Sequence, residues 1–115
     1  MSTPQQELQK FLAQQRADYQ RTLPEKAAKV QALWKAAEAD GAGVPPLADL
    51  ERLVHSLAGT AGTLGFHELG QAAKLLELLL AGVAEANGPT ATLNAVQRSD
   101  IARAVAALHA SFPVG

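Results

Sequence analysis

The chain has 115 residues, a formal charge of −1 from ten Lys+Arg against eleven Asp+Glu, no cysteine, and an apolar fraction of 48% of which little is aromatic. That length suits one domain, residues 1–115, around one modest core, and near-neutrality offers no field to recruit nucleic acid or an anionic membrane. Without cysteine there is neither a disulfide framework nor a thiolate metal site, and the dominance of alanine and leucine predicts an all-α fold.

Thr3-Pro4 reads as an N-cap followed by proline at the first helical position, and Leu8, Phe11, Leu12 and Tyr19 follow at helical spacing, so a first helix is expected over 4–22. Pro24 disfavours helical geometry at Leu23 but can itself start a helix. A second helix over 24–39, with Ala27, Val30, Leu33, Trp34 and Ala37 on one face, either stands alone or continues the first through a kink. Trp34 is expected in the core or as a plug at one end of the bundle, and the Tyr19 hydroxyl is expected to reach water.

DGAGVPP, residues 40–46, is a loop by its glycine and proline content. Leu47, Leu50, Val54, Leu57, Ala61 and Leu64 then step by three and four, the seam of a helix over 46–63. After Gly65, the same stepping through Leu69, Ala72, Leu76, Leu79 and Val83, widened by Leu75 and Leu80, predicts a helix over 67–85. ANGPT breaks the pattern. Ile101, Val105, Leu108 and Phe112 mark a last helix that begins between Ala91 and Ser99. The architecture predicted is an antiparallel up-down four-helix bundle with an additional N-terminal helix.

The first ten residues, MSTPQQELQK, lack the basic-then-apolar layout of a secretory signal, and Glu77 interrupts the most apolar run, LLELLLAGVA. A cytoplasmic protein with protein partners is the expectation, and a methionine at position 1 suits a free-standing chain. His67 and His109 lack partners at ligand spacing, so no metal site is expected.

His55 lies off the apolar seam. Its face carries Ala48, Glu51 and Arg52 before it and Gly59 and Gly62 after it, while Gly70, Lys74, Glu77 and Ala81 line a stripe of the next helix. Antiparallel packing of the two helices lets Lys74 and Glu77 flank His55. A carboxylate that accepts a hydrogen bond from one ring N–H fixes the tautomer and leaves the other nitrogen free as a nucleophile, a role that suits Glu77. A solvated Lys74–Glu77 ion pair is the plainer reading of those two residues, and close helix packing is the plainer reading of Gly59 and Gly62.

HSLAGTAGTLGFHELGQAAKLLE, residues 55–77, resembles the signature of histidine-containing phosphotransfer (HPt) domains: His, an aliphatic residue two later, Gly at +4, a small residue at +6, a Leu-Gly pair, and a helix ending in a leucine–acidic pair. The resemblance implies a helical bundle that relays a phosphoryl group between receiver-domain aspartates in two-component signalling. His55 takes the phospho-accepting position through its ring Nε2. Glu77 takes the position that bonds the ring, and Gly59 that of the small residue that keeps access open. Many members carry lysine three residues after the histidine, where this chain has Ala58. Lys74, or Arg52 one turn before His55, is the substitute the sequence offers for that cation.

The docking patch implied centres on Gly59, with Ala58 and Gly62 beside it and Arg52 and Lys74 at the rim. The partners implied are response-regulator receiver domains and a hybrid sensor histidine kinase. No cofactor is expected on the chain, with Mg²⁺ supplied by the receiver. The sequence has no GxxxxGK[ST] loop and no length for an ATP-binding kinase domain, so the protein is expected to be a phosphocarrier rather than an enzyme. Two other readings stay open: a binding module that sequesters a receiver or kinase without being phosphorylated, motivated by Ala58, and a structural dimerising bundle, which leaves the bare face around His55 unexplained.

Overall fold

In the computed structural model, which describes residues 3–39, 44–87 and 93–113, all regular structure is helical: α1 (Pro4–Glu38), α2 (Val44–Thr63), α3 (His67–Asn87) and α4 (Ala95–Ser111). Thr3 opens α1 with a capping box: its hydroxyl accepts from the Gln6 N–H at 3.1 Å, and its own N–H donates to Gln6 Oε1 at 3.0 Å. Asn94 and Gln97 repeat the device at the start of α4. That box places the onset of the last helix at Ala95, inside the interval the periodicity leaves open.

The expected helices over 4–22 and 24–39 are one 35-residue helix, so the described chain holds four helices with no separate N-terminal one. Proline inside a helix costs about 3 kcal/mol through the lost N–H and the clash with the preceding turn. Continuity across Pro24 keeps Leu23 in phase with Val30, Trp34 and Ala37, all four 5% exposed or less. Each large apolar side chain removed from water contributes roughly 1.5–3 kcal/mol, enough for this face to override the local preference at Leu23.

The second helix starts at Val44, two residues before the sequence reading, because prolines in the first turn forfeit only N–H groups that have no intrahelical acceptor. The rest of the expected loop at 40–43 lies outside the described residues, as do the last three residues of the expected ANGPT break, whose Ala86 and Asn87 still belong to α3.

α1 packs on α2, α2 on α3, α3 on α4, and α4 closes the ring against α1. The shared core takes Leu50, Val54, Leu57 and Ala61 from α2, as the stepping predicts. On α3 the buried seam is Leu69, Ala73, Leu76, Leu80 and Val83, rotated from the expected one: Ala72 and Leu79 are only half-buried and Leu75 is exposed. α4 adds Ile101, Ala104, Val105 and Leu108.

The turn between α2 and α3 is a Schellman cap. The Phe66 N–H donates to the Ala61 carbonyl at 2.8 Å, the Gly65 N–H donates to that of Gly62 at 3.2 Å, and Gly65 sits at φ +92°, where glycine alone carries no Cβ penalty. Arg16 lies over the Phe66 ring at 4.7 Å, and the Tyr19 and Phe66 ring centroids are 6.1 Å apart, which fixes the hairpin tip against the middle of α1. The Tyr19 hydroxyl is buried with no hydrogen-bond partner, contrary to the solvated position expected of it, and burial raises its pKa.

Leu12 and Ala13 still border a cleft with Gly62, Thr63, Leu64, Gly65 and His67 at that tip, and residues 4–11 of α1 continue beyond them for about 12 Å at 1.5 Å per residue. Leu8, Phe11 and Leu12 along this stretch are exposed rather than core. The surface of 7182 Å² exceeds the roughly 6,000 Å² usual for a 12.0 kDa monomer, as a projecting helix requires.

Candidate functional site

The short turn makes α2 and α3 an antiparallel hairpin whose register is readable from two pairs. Gly62 and Gly70 lie four residues either side of Phe66, and His55 and Glu77 lie eleven either side. A Cβ on Gly70 would stand 3.0 Å from the Gly62 nitrogen and 3.1 Å from its Cα, so the backbones touch where both side chains are missing. Seven residues further along each helix, the same alignment brings Glu77 opposite His55.

His55 Nδ1 is hydrogen-bonded to Glu77 Oε2, and Lys74 Nζ donates to the other carboxylate oxygen, Oε1, at 3.1 Å. The carboxylate is thus held between an imidazole from α2 and an ammonium one turn earlier on α3. The Glu77 side chain is 13% exposed, while those of His55 and Lys74 are 78% and 61% exposed. The bond from His55 holds the Glu77 carboxyl below its ordinary value of 4.5, with the bond from Lys74 adding to the effect and partial burial opposing it. An ionised Glu77 accepts from Nδ1–H, so the neutral ring presents a bare Nε2 to solvent.

Of the three glycines after His55, Gly65 supplies the left-handed cap, while a Cβ on Gly59 or on Gly62 would meet nothing within 4 Å, the close approach at Gly62 requiring glycine only at Gly70. Close packing within the chain therefore does not account for Gly59, which leaves open space one turn beyond the imidazole. Its carbonyl accepts a bond from the Thr63 hydroxyl at 2.9 Å.

The other predicted residues fall around this centre. Arg52 is exposed one turn before His55, with its guanidinium bonded to Asp49. Ala58 is half-buried and packed against the core, and Gly62 is half-buried. Asp49 was missed by the sequence reading, although Asp-x-x-Arg is an ordinary helical ion-pair spacing that would have found it. Among the described residues no group of three His, Asp or Glu side chains is arranged to hold a metal ion, and no helix is long and apolar enough to cross a membrane.

Compared with known families, the chain matches the model described as the Hpt domain over residues 6–111, nearly its whole length. No curated protein and no solved structure matches it.

Proposed function

The chain belongs to the Hpt domain family, a family of histidine phosphotransfer modules of phosphorelays, and from that premise we propose that His55 accepts a phosphoryl group from the aspartyl phosphate of a receiver domain and passes it to another. The observation that carries the reading is the His55–Glu77 bond with Nε2 left open. In the forward step the Nε2 lone pair attacks phosphorus in line. The Nε2–P bond forms as the bond from phosphorus to the aspartyl oxygen breaks, and the aspartate leaves as a carboxylate.

The Nδ1 proton stays on the ring, where Glu77 balances the positive charge that the imidazole acquires. Lys74 keeps that carboxylate ionised and oriented. Gly59 leaves the approach clear for a convex partner. Arg52, Ala58, Gly59 and Gly62 form the docking patch, with a hybrid sensor kinase or receiver supplying the phosphoryl group and the receiver's Mg²⁺ offsetting charge on it. The chain acts as a carrier, with donor and acceptor both in trans.

The second reading, sequestration without transfer, is motivated by Ser56, Leu57, Ala58 and Gly59, a full turn after His55 with no cation in it. One assay separates the two. Mixed with a panel of phosphorylated receivers, the protein acquires acid-labile, base-stable label that is lost in His55→Gln. Label that persists in the variant refutes the site, and tight docking with no label under any receiver favours sequestration.

A further inference from the structure

Lys74 and Arg52 are the basic side chains nearest His55 on their helices, and their circumstances differ. Arg52 is already bonded to Asp49, one turn back along α2 and away from the site. Lys74 is bonded to the same carboxylate that holds the imidazole, so its charge is tied to the ring through a single group. In the form of the ring that can act as a nucleophile, which is the neutral one, the cluster balances, with Glu77 negative and Lys74 positive. Once Nε2 carries phosphorus with Nδ1–H retained, the ring is cationic and becomes the stronger partner for Glu77, while a dianionic phosphoryl group has appeared beside it.

Resting on the phosphotransfer reading above, we propose that Lys74 changes partner during transfer, leaving Glu77 Oε1 for the phosphoryl oxygens, so that this α3 lysine supplies the cation that α2 lacks after His55. No proton and no electron moves in the exchange. The ammonium trades one anionic oxygen for another while Glu77 trades an ammonium for the imidazolium. The exposure of Lys74, 61% for the side chain, leaves its stem free to swing, and Gly59, with open space where a Cβ would stand, does not obstruct it. The return step reverses the exchange: as phosphorus leaves Nε2 the ring loses its charge and Glu77 reclaims the lysine.

The test uses phosphoramidate, a small donor whose P–N bond to ammonia breaks as the Nε2–P bond forms, so that no docking surface is involved. The second ionisation of the phosphoryl group on His55 is then followed by ³¹P NMR. In Lys74→Met its midpoint is expected to rise by about half a unit, the size of an exposed charge pair, because the dianion has lost its cation. Lys74→Arg keeps the original midpoint, Arg52→Met leaves it unmoved, and Ala58→Lys placed on Lys74→Met restores it. Transfer from a receiver should slow about three- to tenfold in Lys74→Met. An unchanged phosphoryl titration in Lys74→Met, or a shift in Arg52→Met instead, overturns the exchange while leaving His55 as acceptor. Failure of the wild-type protein to gain any label that His55→Gln lacks overturns the acceptor and the exchange together.

Discussion

The projecting arm of α1 and the α2–α3 hairpin carry the same kind of sequence pattern and meet opposite fates. Leu8, Phe11 and Leu12 recur at helical spacing as faithfully as Leu50, Val54 and Leu57 do, yet the first set is exposed and the second is 0% exposed. Spacing of this kind establishes a helix with an apolar stripe. Whether the stripe is buried depends on what stands opposite it: Leu12 only borders an open cleft at the hairpin tip, and Leu8 and Phe11 keep more than half of their surface in water.

The largest effect that would test this contrast is in the hairpin. Leu57→Ala removes a fully buried side chain two residues from His55 and should cost about 2–5 kcal/mol in denaturant unfolding. A loss under 1 kcal/mol would mean that the hairpin seam is not the core it is described as. Gly59→Ala, on the same helix but facing open space, should instead stabilise the free protein by roughly 0.5–1 kcal/mol, raising Tm by about 4 °C, since helix propensity improves and nothing is met. Gly59→Leu should fold as well and lose receiver docking. Unimpaired transfer in Gly59→Leu would show that the space is not used.

The tie between the two helices has a pH signature. Because the folded state holds Glu77 below its ordinary value of 4.5, its ionisation contributes stability that is fully present above about that pH and is lost as pH falls through the lower folded value. The difference in Tm between wild type and Glu77→Gln should therefore narrow below pH 4.5. A difference that stays constant down through the acid range would show that the carboxylate is not ionised against His55. The smallest effect is expected on the arm, where Phe11→Gln, 60% exposed in the wild type, should change stability by no more than about 0.5 kcal/mol. A larger loss would place Phe11 in a packed environment.

The site was more legible in sequence than the arm. His55 off the seam, Glu77 twenty-two residues later and a turn-forming Gly65 near their midpoint specify an antiparallel pairing, because helix period and hairpin symmetry leave little freedom once the turn is located. The Asn94–Gln97 box was also present to be read, and would have set the start of α4. The sequence left open whether α1 runs on across Pro24 or breaks there, since the choice rests on Leu23 gaining a place in the core built by Val30 and Trp34, a tertiary term that local propensity does not contain. The rotation of the α3 seam toward Ala73 and Leu80 has a related origin. In a run as rich in leucine as residues 75–80 several phases fit the period, and the facing helices choose among them. The open space at Gly59 became readable only in three dimensions, where Gly65 alone of the three takes the left-handed conformation that demands glycine.

The account turns on which ring nitrogen of His55 is held and which is offered. Phosphorylating ¹⁵N-labelled protein from a receiver and reading the ³¹P–¹⁵N coupling on the imidazole measures this directly. The coupling is predicted at Nε2, with the proton retained on Nδ1 beside Glu77; phosphorus bonded to Nδ1, or found on no nitrogen of this ring, would contradict it.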